Sequence, residues 1–316
     1  MEGNGTCYLK GGLTLSGNVN FSMSGSGVFH LESSLCGGGN LIETLDLDKI
    51  IAKAAKCQGA LSLEGDNIGF RGRILVGCGL EPLENSLGLT NLTLLVSSGG
   101  NLGGPCEEFV FDAVKIAKAC KLSITDTATF DANNRGWCFM DGSAVDVAPG
   151  KVAMMKKNVT FGGESEKTGG GTLIIGASAK FYDAENDSVG DIPNGATLRI
   201  AAGGIGVVSP GALTGVNLKF AQDAGLVVLP ESRCMVLSSA PVLEGENLPI
   251  EFEMPEGSDS MTVDILSLPA SVTFDSSKLS LPRKSGYAIS LTTRQVDGNV
   301  IYGLSCKKIG FIISVR

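Results

Sequence analysis

The sequence predicts an all-β chain, and within that class a parallel β-helix (β-solenoid) with short inserted helices and a C-terminal antiparallel β cap. Three observations carry this. Glycine supplies 44 of 316 residues, about twice its usual ~7% share, alongside abundant Val, Ile, Leu and Thr, a mixture that suits many short strands joined by tight turns. Aromatic residues are only 6%, as expected of a narrow interior that takes aliphatic side chains and few rings. A loose pattern also recurs: Leu, any residue, Leu or Ile, then Phe eight positions after the first Leu.

The pattern opens with "GGLTLSGNVNF" (Leu13, Leu15, Phe21) and returns as "LSITDTATF" (Leu122, Ile124, Phe130) and "LIIGASAKF" (Leu173, Ile175, Phe181). In "LSLEGDNIGF", Leu61 and Leu63 fit and Phe70 falls one place late. Further short strands are expected at "LTLLV" from Leu92, "AVDV" from Ala144, "TLRI" from Thr197, "LKF" from Leu218 and "LVVL" from Leu226. Two stretches read as short amphipathic helices placed before a strand. In Asp48–Cys57, Ile50, Ile51, Ala54 and Ala55 share one face opposite Lys49, Lys53 and Lys56, and Asp112–Cys120 has the same order of parts.

Hairpin dipeptides of the Asn-Gly or Asp-Gly kind are few, which favours stacked parallel coils over an antiparallel sandwich. Residues 1–240 then form about ten coils of ~22 residues. The texture changes near Pro241. Prolines cluster, glycine thins, and "TVDILSL", "YAISLTTRQV", "NVIYGLS" and "GFIISVR" alternate cleanly. Residues 241–316 are therefore expected to form a β-rich cap containing one hairpin, with Asp297-Gly298 as its turn. A solenoid end must cover its apolar coil and its unpaired backbone, and this segment is placed to do so.

The net charge of −8 and the lack of any Lys/Arg cluster argue against nucleic-acid binding. No run of 18 apolar residues marks a transmembrane segment. The N-terminus, "MEGNGTCYLKGG", lacks the pattern of a signal peptide. Because strand signals begin at once, the chain is expected to be the downstream part of a longer one. Of the nine cysteines, none forms C-x-x-C, which removes the usual zinc and dithiol signals. Cys36, Cys57 and Cys78 lie 21 residues apart, which fits either a ladder down the stack or small buried core residues.

"GGLTLSGNVNF", "GALSLEGDNIGF" and "GGGTLIIGASAKF" resemble the autotransporter-associated β-strand repeat of large surface proteins of Gram-negative bacteria. That resemblance implies a pectin-lyase-like right-handed β-helix. It also implies a secreted or cell-surface, structural or adhesin-like, non-catalytic role, with a polysaccharide or a host or cell-surface glycan as partner. The chain departs from autotransporters in having no C-terminal strand run ending in Phe or Trp, and hence no outer-membrane barrel signal. The resemblance leaves open a carbohydrate-active β-helix enzyme, either a polysaccharide lyase or a glycoside hydrolase, and a trimeric fibre.

Hydrolysis needs carboxylates converging across a sugar ring, and Asp126, Asp131, Asp141 and Asp146 lie nearest strand signals. A solvated solenoid surface carries such residues as well. A lyase needs basic side chains to bind a uronate and a base to take its α-proton; Arg71, Arg73 and Arg135 are scattered along the chain. Asp183, Glu185, Asp187 and Asp191 alternate as hard calcium ligands would, although the following glycine sits too late for an EF-hand loop. No other cofactor is implied. His30, the single histidine, reads as an outward strand position between Phe29 and Leu31. The glycine runs lack the Lys-Ser/Thr of a phosphate loop and read as turns. Trp137, in "RGWCFM", reads as core; exposed, it would stack on a sugar.

Overall fold

The computed structural model describes residues 5–23, 26–45, 58–77, 91–183, 188–190 and 196–309. The chain winds as a three-sided β-solenoid. Face one is a ten-stranded sheet, from Thr6–Leu9 through Val28–Leu31, Ala60–Leu63, Thr93–Val96, Lys121–Ile124, Ala144–Val147, Glu164–Thr168, Thr197–Ile200 and Asn217–Phe220 to Val242–Leu243. Every neighbouring pair on this face is parallel. Within each coil, face two follows face one. It holds three strands at one end and seven at the other, interrupted in the fourth coil by the 3-10 turn Gly99–Leu102. Face three follows with eight strands.

Residues in register form columns. On face one, Leu61, Leu94, Leu122 and Val145 stack inward and are essentially fully buried. On face three the inner column runs Phe21, Glu43, Val76, Ile116, Phe139, Phe161, Phe181. The uninterrupted coil is 22 residues long, as in Thr6 to Val28 and Ala144 to Glu166. At about 4.8 Å per coil, each layer buries its apolar side chains against the next, and no single coil could do this alone.

The recurring Leu-x-Leu…Phe pattern marks a strand, a corner and the next strand, not one fixed face. Leu13–Leu15 leads from face two to face three, as does Leu173–Ile175, whereas Leu61–Leu63 and Leu122–Ile124 lead from face one to face two. Both of these corners impose the same demand: an inward pair, a polar turn, then an inward ring.

The expected helix over Asp112–Cys120 is corrected, because Val110–Ile116 is a strand of face three. It pairs on one side with Ile74–Val76 and on the other with Arg135–Phe139, and Val114 and Ile116 point into the core. A nine-residue helix is marginal in water, and two open ladder edges outweigh that propensity. The companion stretch Asp48–Cys57 lies outside the described residues, as do Cys57, Cys78 and "GFIISVR". The two short helical turns in the described residues are 3-10 turns, Gly99–Leu102 and Ser276–Lys278.

Parallel stacking continues past Pro241: Val242–Leu243 adds to face one, and Leu248–Phe252 and then Leu279–Ser280 add to face two. The pairing becomes antiparallel with Ser260–Pro269, Tyr287–Val296 and Asn299–Lys308, which join Met235–Val236 in a four-stranded sheet. Asp297 and Gly298 turn the hairpin with φ of 48° and 76°, the left-handed pair that a two-residue turn of this hand requires.

Candidate functional site

The interruption of face two creates a partly enclosed site. A strand would continue the sheet between Gly69–Phe70 and Ala128–Phe130, but Gly99–Leu102 turns there instead. Two buried asparagines hold this turn. Asn67 Oδ1 accepts from Leu35 N at 2.7 Å, and Asn67 Nδ2 donates to Asn101 O at 2.6 Å. Asn101 Oδ1 accepts from Ser97 N and Ser98 N, and its Nδ2 donates to Gly65 O at 2.9 Å. Satisfied buried amides of this kind rigidify a backbone that has left the sheet ladder.

The withdrawn chain leaves a cavity of about 240 Å³, lined among others by Ile68, Leu102, Gly103, Phe130, Asp131, Arg135 and Trp137. Phe130 and Trp137 meet edge to face at 5.0 Å and are buried. Arg135 opens its face-three strand and is only 2% exposed. Its Nη2 donates to Gly72 O at 2.9 Å and its Nη1 to Cys106 Sγ at 3.6 Å, while the guanidinium lies 5.5 Å from the centre of the Phe70 ring. Nε has no hydrogen-bond partner. Burial pulls this guanidinium below its ordinary pKa, and the Arg71 charge adds to that against the opposing Cys106 sulfur. Gly103 is required here: φ is +99°, and a Cβ would stand 3.1 Å from Arg135 Cζ.

Face one carries a second, open groove of about 710 Å³, lined by Lys121, Asp146, Glu166, Thr168 and neighbours. Outward side chains pair from coil to coil. Asp146 accepts from Ser123 Oγ at 3.1 Å and Thr168 Oγ1 at 2.8 Å. Arg199 takes Glu244 in a two-pronged contact at 2.8 and 2.7 Å and also bonds Glu166, and Lys219 reaches Glu164 at 2.7 Å. Glu244, then Glu166, hold Arg199 above its ordinary pKa, and Arg199 holds Glu244 below the usual carboxylate range. His30, half-buried, stacks on Tyr8 at 4.7 Å and bonds Glu64.

The four candidate carboxylates do not share a site. Asp126 lies at the corner between faces one and two, exposed and paired with Lys151 at 2.7 Å. Asp131 lies at the next corner, on the partly enclosed cavity. Asp141, at the third corner, accepts from Glu164 N at 2.7 Å, and Asp146 stands on face one. Of the calcium candidates, Asp183 ends the strand Lys180–Asp183, while Glu185, Asp187 and Asp191 lie outside the described residues. Among the described residues, no three His, Cys, Asp or Glu side chains are placed to hold a metal ion, and no helix is long and apolar enough to cross a membrane.

Arg71 and Arg135, far apart in sequence, meet at Cys106, which donates to Arg71 O at 3.7 Å. The signal for this was the two-residue period: Arg135, Trp137 and Phe139 alternate on one side of a strand, so Arg135 faces inward with the aromatics.

The fold defines the chain as a β-solenoid. No protein-family model, curated protein or solved structure matches it.

Proposed function

We propose that this chain is a structural, adhesive β-solenoid of the cell surface or of a secreted protein, non-catalytic, which presents a polysaccharide or a surface glycan with a rigid binding face. The supporting observation is the ten-strand parallel ladder of face one, whose outward polar side chains pair across coils. A stack of this kind gives a flat, regular surface with a repeat of about 4.8 Å, suited to a long ligand that makes the same polar contact many times. The likeness of three stretches to the autotransporter-associated repeat supports the same reading. The scattering of Asp126, Asp131, Asp141 and Asp146 over three corners and a face offers a hydrolase no carboxylate pair.

The test has two arms. On an array of neutral and acidic polysaccharides the purified protein is expected to bind saturably and to release no new reducing ends or unsaturated sugars. Failure to bind any glycan, or product release with turnover, overturns the proposal. In fractionated source cells the protein is expected in the surface or culture-medium fraction; confinement to the cytosol refutes that placement.

A further inference from the structure

Arg135 is a buried cation with no anion paired to it. Its hydrogen-bond acceptors are a carbonyl and a thiol, and its Nε is unpaired. Arg135 also lines the open-mouthed cavity, whose wall includes the apolar side chains of Ile68, Leu102, Phe130 and Trp137. A carboxylate is available on the cavity lip, at Asp131, yet it is exposed and makes no ion pair with Arg135. An ionised group taken out of water costs several kcal/mol unless it is matched. The planar fork of arginine matches carboxylate oxygens, and apolar walls suit a carboxylate carried on a carbon skeleton better than a fully hydrated inorganic anion.

We infer that the cavity beside Gly99–Leu102 binds a small organic carboxylate against Arg135, and that its source is the acidic (uronate) residue of a polysaccharide. The ligand class rests on the glycan-binding function proposed above; the anion site itself does not. The cavity volume is that of about eight waters at ~30 Å³ each, room for one carboxylated ring and not for an oligosaccharide. Ile68, 63% exposed at the rim, gives the rest of a chain an apolar ledge on leaving the cavity.

The test is calorimetric titration of the intact chain with glucuronate, with glucose as its uncharged counterpart, and with acetate as a carboxylate without a ring. Glucuronate is expected to bind at one site with Kd on the order of 1 mM, the value for about thirteen non-hydrogen atoms at ordinary ligand efficiency. Glucose is expected to bind at least tenfold more weakly. Arg135→Gln should weaken glucuronate binding tenfold or more. Because that variant removes a buried group, Thr129→Trp serves as the second: Thr129 is exposed on the cavity lining, so a bulky ring there closes the mouth without entering the core.

Absence of glucuronate binding by the wild type, or unchanged binding by Thr129→Trp, overturns the inference. Acetate binding as tightly as glucuronate overturns the sugar as source. Binding of an acidic polysaccharide that Thr129→Trp leaves unweakened while glucuronate binding is lost overturns the polysaccharide as source and leaves face-one adhesion standing. Glucuronate binding without any polysaccharide binding overturns the adhesive function, and the polysaccharide as source with it, and leaves the anion site standing.

Discussion

Lys167 occupies an inner position of face one, in register between Val145 and Ile200, and is fully buried. Its ammonium donates to the carbonyls of Gly169 at 2.7 Å, Ala202 at 2.7 Å and Gly171. It thereby ties two successive corners together where the run Gly169-Gly170-Gly171 leaves the ladder. Replacing Lys167 with Met keeps the stem and removes the ammonium. Three hydrogen bonds from a charged donor to carbonyl oxygens are then lost, at ~2 kcal/mol each. Against this stands the dehydration of the ammonium, which pulls the Lys167 pKa from 10.5 down to about 8, with Asp146 opposing; at ~1.4 kcal/mol per pK unit that is ~3 kcal/mol. The net loss for Lys167→Met is therefore about 3 kcal/mol at pH 7, read by urea denaturation with the slope unchanged. The pH dependence checks the same balance. Between pH 8 and 10.5 the unfolded chain holds the Lys167 proton more tightly than the folded one, so wild-type stability gains with rising pH and the gap to Lys167→Met widens by up to ~3 kcal/mol. A Met variant as stable as wild type at pH 7, with a gap flat in pH, refutes the reasoning.

Two other core positions give independent checks. Glu43 is 1% exposed in the inner column of face three, and burial, opposed by the backbone amide of Leu61, drives its pKa well above the usual range. Its folded form keeps a proton that the unfolded chain releases above about pH 4.3, so stability is full in mild acid and falls as the pH climbs through the raised pKa. Melting curves at stepped pH should show this fall in the wild type and not in Glu43→Gln; curves that stay parallel contradict it. Phe161 stacks on Phe139 at 6.0 Å and is 1% exposed, so Phe161→Ala should cost about 3–5 kcal/mol in chemical denaturation. A loss under about 1 kcal/mol would place the ring outside the packed column.

The architecture was largely legible in the sequence because stacking imposes a local rule that every coil repeats. Leu122 and Ile124 look alike in sequence to Leu61 and Leu63 because both pairs fill the same column sites. The rule says nothing about which face a segment joins, so the pattern at Leu13 and that at Leu122 sit on different faces. The helix expected over Asp112–Cys120 failed for a related reason: its Lys/Ala/Ile periodicity is a local preference, and the open edges of the flanking strands are a non-local demand. The cap hairpin was readable because Asp297-Gly298 carries its own turn geometry. The cavity was the least readable part. It exists because Gly99–Leu102 leaves the sheet, and its charge is Arg135, whose neighbours Gly72, Phe70 and Cys106 lie 29 to 65 residues earlier in the chain. No short window of sequence shows such a gathering.

The stacking register is open to direct measurement by cross-linking. Ser123 and Asp146 are register partners on adjacent face-one strands, with Ser123 Oγ 3.1 Å from Asp146 Oδ2. Strands ~4.8 Å apart place their Cα atoms within disulfide reach. Ser123→Cys with Asp146→Cys should close a disulfide under mild oxidation, identified as one linked peptide by mass. Ser123→Cys with Ala144→Cys, displaced by two residues along the strand, should not. Cross-linking of the displaced pair in preference to the matched pair would contradict the coil-on-coil alignment on which the groove, the cavity and the proposed function all depend.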